Sequence, residues 1–264
     1  MRGKGLKMPE ALFFAWAAFL GAAIGSFLNV CIARLPAGES VVRPRSRCPA
    51  CGESIAWYDN LPILSWLFLR GRCRHCRERI SWLYPAVELA TLAIWVGMAV
   101  AYGPTPRGLI GAILFSILLA IAIIDARHYL IPDPLSVGGL AAGLTASALP
   151  GDPTPLTSLA GAAVGFGVLF AVGWLGERAF KKPAMGGGDM KMMAMVGAFL
   201  GPLGALLTIF LGALTGSVIF GPISLKTGKL VPFGVFLALG AAVTFLFGDV
   251  LVDWYAGYVG VGGR

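Results

Sequence analysis

Charge is what this sequence has least of. Asp, Glu, Lys and Arg make up 13% of its 264 residues and hydrophobic residues 57%, whereas soluble domains carry roughly 25% charged residues. That composition excludes an ordinary water-soluble enzyme. Histidine is scarcer still: His75 and His128 are the whole complement, and no H-E-x-x-H occurs, so a metalloprotease centre of that type is excluded. No glycine fingerprint of the dinucleotide-binding kind sits in a strand–turn–helix context. The triple glycine Gly186-Gly187-Gly188 lacks the spacing and the Lys-Ser/Thr pair of a phosphate loop. No cleavage pattern of a secretory leader precedes the first apolar run; 11–35 is too long for one and reads as a retained span.

What is present is a series of apolar runs at roughly 9–33, 85–102, 108–124, 134–149, 156–176, 190–201, 203–221 and 231–252. They are continuous rather than alternating. In lipid, where every backbone polar group must be satisfied internally, continuous runs mean helices. The expectation is an all-α, polytopic membrane protein with about eight transmembrane helices. The sixth and seventh runs are parted only by Gly201-Pro202, so seven is the alternative count. Basic residues orient the chain. With the N-terminus outside, sixteen of the 21 Lys and Arg face the cytoplasm, nine of them Arg within 34–84; Arg2, Lys4, Lys7, Arg107 and Arg264 stay outside. The net charge of +8 is mainly this asymmetry, so the partner it implies is membrane lipid, not nucleic acid.

The one sizeable polar segment lies between the first two runs. It carries Cys48-Pro49-Ala50-Cys51 and, after 21 intervening residues, Cys73-Arg74-His75-Cys76. Paired C-x2-C knuckles are a tetrathiolate zinc pattern, two thiolates from each knuckle closing a tetrahedral, structural site. Neighbouring arginines favour the thiolates. Two disulfides are the alternative, which a cytoplasmic loop would disfavour. His75 could replace a cysteine, and Cys31, inside the first run, is expected to pack. Trp57, Tyr58, Trp66 and Trp82 suit a small core and interfacial anchors.

Two acids stand at the edges of apolar runs. Asp125 closes the third, and Asp189 follows the three glycines. A charge near hydrocarbon costs about 2.5–3.5 kcal/mol on insertion scales, which makes such residues functional candidates. Asp125 gains nothing from its helix C-terminus, whose dipole disfavours an anion. Asp133, before Pro134, is expected to act as an N-cap. Asp189 alone could be a cap beside a glycine hinge. Together the two acids suit hydrolysis: with like charges adjacent, one carboxyl keeps a proton while the other ionises and activates water. An ion- or proton-coupled transporter would also use boundary carboxylates and glycine-broken helices, but predicts more polar residues at mid-span. A scaffold with capping aspartates is a third reading.

These residues resemble the bacterial type IV prepilin peptidase family, the GxGD membrane aspartic proteases. Gly25-Ser26-Phe27-Leu28-Asn29-Val30 with Arg34-Leu35-Pro36 looks like the family's first-span signature. Ser46-Arg47-Cys48-Pro49, Trp57-Tyr58-Asp59-Asn60-Leu61-Pro62, Leu69-Arg70-Gly71-Arg72-Cys73 and Tyr84-Pro85-Ala86-Val87-Glu88 continue the match. Asp125 and the Asp189 of Met185-Gly186-Gly187-Gly188-Asp189-Met190-Lys191 fall on the two catalytic positions, and Val231-Pro232-Phe233-Gly234 begins the last-span signature. Met192 and Trp82-Leu83 depart slightly from the pattern. The resemblance implies removal of a basic leader from prepilins and pseudopilins after a glycine, at the cytoplasmic face of the bacterial inner membrane. It also implies N-methylation of the new N-terminus with S-adenosylmethionine, since members with the four-cysteine loop are generally bifunctional. The implied division is a first helix at 1–35, a methyl-transfer loop at 36–84 and peptidase helices at 85–264. No adenosylmethionine pocket is legible in the residues themselves. Glu88 is a possible participant, although a Glu in a helix's first turn is ordinary.

Overall fold

The computed structural model describes residues 9–182, 185–227 and 231–259; Arg2, Lys4, Lys7, Lys229 and Arg264 of the charge tally lie outside the described residues. All regular elements among the described residues are helical: α1 (Glu10–Arg34), the short α2 (Leu64–Phe68), α3 (Leu83–Tyr102), α4 (Pro106–His128), α5 (Asp133–Ala146), α6 (Pro155–Phe180), α7 (Gly187–Thr227) and α8 (Phe233–Val259). Two single-turn 3-10 segments, Leu35–Ala37 and Trp57–Asn60, complete them. The protein is an all-helical, polytopic membrane protein, as expected.

The expected count of eight spans is not matched. Six helices among the described residues are long and apolar enough to cross a membrane. The run at 134–149 gives α5, whose 14 residues extend only about 21 Å at 1.5 Å per residue, short of the ~30 Å hydrocarbon layer. The runs at 190–201 and 203–221 are joined in α7, which breaks at Gly201 (φ 71°, ψ −179°). That backbone conformation favours glycine, and Pro202 then restarts the helix with its missing N–H at a first-turn position.

The chain forms two compact units, Met1–Ser116 and Ile117–Arg264, with the boundary inside α4. In the first, α1 lies directly on α3. A Cβ on Gly21 would stand 2.8 Å from the Leu92 Cα, and one on Gly25 2.7 Å from the Glu88 Cα, so only glycine permits this approach. Where lipid offers no hydrophobic contrast, such close backbone packing is what holds helices together. The Asn29 amide donates to the Tyr84 carbonyl (2.9 Å), and the Trp95 indole donates to Ser116 Oγ (3.1 Å). Cys31 is buried on α1, where it was expected to pack.

In the second unit α7 is central, packed by α5, α6 and α8. Its contact with α6 is backbone against backbone: a Cβ on Gly161 would lie 2.1 Å from the Gly197 carbonyl oxygen, and one on Gly165 2.1 Å from that of Met193. Ser158 Oγ donates to the Ala198 carbonyl (2.7 Å) in the same seam. Met192, Met193, Met195 and Val196 are wholly buried beside it. The first half of α7 is therefore clamped, and Asp189 sits at its start.

Gly161→Ala is expected to destabilise the protein by about 1–3 kcal/mol through overpacking. Gly167→Ala, on the same helix with nothing within 4 Å of the added carbon, should leave stability unchanged or raise it. Thermal unfolding of the two variants in one detergent checks the difference.

Candidate active site and zinc site

Asp125 lies in the last turn of α4 and is 5% exposed. The dipole of its own helix offers it nothing, but another helix does. Val235 N–H, in the first turn of α8, donates to Asp125 Oδ2 at 3.2 Å. A Cβ on Gly234 would lie 2.9 Å from that same oxygen. The carboxylate thus rests on a helix N-terminus, where unpaired N–H groups and the helix dipole accommodate an anionic oxygen. Pro232 and Gly234 make the approach possible. The last-span signature was legible in the sequence; its service to Asp125 was not.

Asp189 is half-buried in the first turn of α7. Its Oδ2 would be 3.1 Å from a Cβ on Gly186, and its carboxylate bonds to the Gly186 backbone. This is the reach-back of a third-position acid to its own helix start. Glycines 187 and 188 belong to the helix and are not a free hinge before it. A Cβ on Gly188 would be 2.9 Å from the Ile131 Cβ, and a Cβ on Gly234 would be 2.9 Å from the Ile131 Cδ1. The backbones flanking both acids therefore meet at one buried isoleucine, and Asp125 lies within Coulombic reach of Asp189.

Asp133 does not cap α5. Pro132 takes that position and no side-chain cap bond forms. Lys191 Nζ instead reaches both Asp133 oxygens at 2.8 Å. The pair ties the start of α5 to the start of α7, two residues beyond Asp189. A lysine this close to a helix N-terminus gains nothing from the dipole, and that placement was the available sequence signal for an acidic partner.

The four loop cysteines converge in the first unit. Their Sγ atoms all lie within 4.8 Å of one another, with Cys48 and Cys76 at 3.8 Å, and all are free thiols. Zn–S bonds of about 2.3 Å in a tetrahedron require S···S edges of about 3.8 Å, so Cys48, Cys51, Cys73 and Cys76 fit a zinc ion, and disulfide pairing is set aside. His75 is not in the group.

The knuckles are near-duplicates. Cys48 N–H donates to the Glu53 carbonyl and Gly52 N–H to that of Cys48; Cys73 N–H donates to Glu78 and Arg77 N–H to Cys73. The αL position falls on Gly52 in one (φ 72°) and Arg77 in the other (φ 62°). N–H groups of Cys51 and Ala50 pull the Cys48 thiol down to about 7, and those of Cys76 and His75 lower Cys73. At Cys76 the Glu78 N–H opposes the rise, but burial and the three neighbouring thiols outweigh it and push the thiol up to about 12.

Arg74 fastens the second knuckle to the 3-10 turn. It binds both oxygens of Asp59, with Nε at 2.7 Å from Oδ2, and its guanidinium lies 5.4 Å from the Tyr58 ring centroid. The bonds from Arg74 hold the Asp59 carboxyl below its ordinary range. Trp66 packs on Gly71 and donates to the Ile80 carbonyl, while Trp57 and Trp82 are exposed.

Fold and site together define a polytopic membrane protein with two neighbouring carboxylates at helix ends and a separate tetrathiolate loop. The chain belongs to the type IV leader peptidase family. The profile of the Bacterial Peptidase A24 N-terminal domain matches residues 19–102, and that of the Type IV leader peptidase family matches residues 112–221. Among relatives, a "Prepilin leader peptidase/N-methyltransferase" of Myxococcus xanthus is 40% identical over 84% of this chain and 66% of its own length. Proteins of the same name are 35% identical in Aeromonas hydrophila, over 92% of this chain and 94% of the relative, and 36% identical in Xanthomonas campestris, over 97% and 99%. No solved structure matches the chain. These likenesses support the peptidase reading and give none to the transporter.

Gly234→Val should reduce hydrolysis of a leader-bearing substrate at least tenfold, because its side chain must displace the Asp125 oxygen or Ile131. A parallel unfolding measurement separates this from loss of fold. For the loop, ligands must shed protons to bind zinc, so affinity rises with pH. With Cys76 pushed up to about 12, at least its proton leaves when the ion binds near neutrality. Zinc content after dialysis against a fixed chelator should therefore fall steadily from pH 8 to pH 5.

Proposed function

We propose that this chain is a membrane aspartic endopeptidase that removes the basic leader from prepilins and pseudopilins after a glycine, and then N-methylates the exposed residue with S-adenosylmethionine. The observation that carries the peptidase reading is that Asp125, at the end of α4, lies within Coulombic reach of Asp189, at the start of α7, with Gly188 and Gly234 beside them both packed on Ile131. One carboxyl retains a proton and polarises the scissile carbonyl; the other takes a proton from water, which attacks the carbonyl carbon. The gem-diol collapses as the leaving amine is protonated, and the pair returns to its shared-proton state. The Val235 N–H fixes the Asp125 oxygen, and the Asp133–Lys191 pair links the starts of α5 and α7. No nucleophilic Ser or Cys takes part in this chemistry.

Placement at the cytoplasmic face of the bacterial inner membrane rests on the distribution of Lys and Arg. There the leader's basic residues and the methyl donor are both at hand. The zinc ion held by Cys48, Cys51, Cys73 and Cys76 is structural: with four protein ligands it keeps no open position, and it supplies cohesion to a loop that has no core of its own. In this reading segment 36–84 serves methyl transfer and the helices of 85–264 carry the peptidase. The relatives' printed name supports the pairing of the two activities.

Purified protein incubated with a prepilin bearing a Lys-Gly-Phe junction should yield two mass changes, loss of the leader and gain of a methyl. Asp125→Asn and Asp189→Asn should each abolish the first, and full cleavage by either variant sinks the shared-proton mechanism. Cys48→Ser and Cys73→Ser should lose zinc and methylation while retaining most cleavage.

A further inference from the structure

The first unit contains a cavity of about 400 Å³ walled by α1, the start of α3, the 3-10 turn and both cysteine knuckles. Its size is that of a small-molecule site, and of the four thiols only Cys48 and Cys73 line it. Its polar lining includes Ser26, Asn29 and Glu88, the Arg74–Asp59 pair, and Arg34, Arg47 and Arg79, with Trp66 and Tyr84 as aromatic walls. Glu88 is the unusual member. It lies in the second turn of α3, beyond the first turn where a Glu is ordinary, and is 8% exposed. One of its oxygens, Oε2, accepts the Ile63 N–H at 2.7 Å.

Ile63 is itself strained. It adopts φ 64°, ψ −51°, the geometry of the rare γ-turn, and Leu64 N–H donates back to the Pro62 carbonyl in keeping with it. A β-branched residue held there is strained, and strain of this kind gathers where a group must be positioned. Here the strained turn aims an N–H at a buried carboxylate on the wall of a ligand-sized cavity.

We propose that this cavity binds the methyl donor S-adenosylmethionine, with Glu88 facing its cationic sulfonium. The assignment rests on the methyltransferase half of the function proposed above. A carboxylate in a partly desolvated wall favours a sulfonium over a neutral thioether, so it distinguishes donor from product. The aromatic walls suit the adenine and Asn29 the polar end of the ligand, while Ser26 bonds to the Glu88 carboxylate. In the reaction the neutral N-terminal amine of the substrate forms a bond to the methyl carbon as the carbon–sulfur bond breaks. The bonding pair stays on sulfur, giving S-adenosylhomocysteine, and the methylammonium product then releases a proton to water. Loss of the sulfonium charge removes its attraction to Glu88 and helps the product leave.

The test is calorimetric binding of S-adenosylmethionine and of S-adenosylhomocysteine to the full-length, zinc-loaded protein. Glu88→Gln should weaken the sulfonium ligand roughly tenfold or more, the size of a lost charge-assisted contact, and change the thioether ligand less than about threefold. Ala33→Trp, which fills the cavity from α1 without removing a polar contact, should weaken both ligands while leader cleavage persists. Equal losses for both ligands in Glu88→Gln overturn the charge role, and unchanged binding in Ala33→Trp overturns the location. If the unaltered protein cleaves prepilin but binds neither ligand, the methyl-transfer reading fails first and this assignment falls with it.

Discussion

A carboxylate buried beside hydrocarbon has no water to lean on, so the protein must supply its hydrogen-bond donors, and a spanning helix has spare N–H groups only in its first turn. Asp125 meets that constraint by placing its oxygen on the N-terminus of α8. Everything near the pair follows from it. Residue 234 must lack a side chain, because a Cβ would fall 2.9 Å from the oxygen. The loop after α4 turns sharply, with Tyr129 at φ 52°, and brings Ile131 against Gly188 and Gly234. α7 must begin at this level, and glycine-to-carbonyl contacts with α6 fix its height.

The cysteine loop meets a different shortage. It has no hydrophobic core; Cys48, Cys73 and Ser65 are among its few buried residues. Order comes instead from two repeated backbone knuckles, from the Arg74–Asp59 pair and from the anchoring of Ile63 on Glu88. The Arg74–Asp59 contact is half-exposed on the arginine side, so its strength is much reduced by solvent. Because the Asp59 carboxyl is held low, what it contributes is present above the ordinary Asp range and is lost on acidification through its lowered value. The thiol cluster responds to acid in the same direction, since protons and zinc compete for the same sulfurs.

Much of this was legible in the chain. Continuous apolar runs gave α1, α3, α4 and α6 within about a turn, and α8 about two turns short at its C-terminal end, because helical burial in lipid leaves its mark on every residue. The C-x2-C pairs gave the four clustered thiols that fit a zinc ion, because a tetrahedral ion needs two thiolates from each short turn. Span count was not legible: α5 and the two halves of α7 are as apolar as true spans, and hydropathy carries no information on where a kink at Gly201 joins or divides them. Asp133 was misassigned to a capping role because its partner Lys191 lies 58 residues away. Glu88 looked ordinary because its burial depends on α1 and on Ile63, neither adjacent in sequence.

Local chemistry thus settled which residue types occur and in what order: the membrane habit of the chain, four thiols at metal spacing and two acids at the margins of apolar segments. Those properties depend on neighbours along the backbone, where period and spacing are visible. Tertiary structure alone decided that Asp125 takes its donor from α8, that Lys191 binds Asp133, that a strained Ile63 holds Glu88 at a cavity wall, and that α6 and α7 touch through bare backbone. Each of these depends on an approach of a few ångströms between residues distant in the chain, and the packing of whole helices sets such approaches.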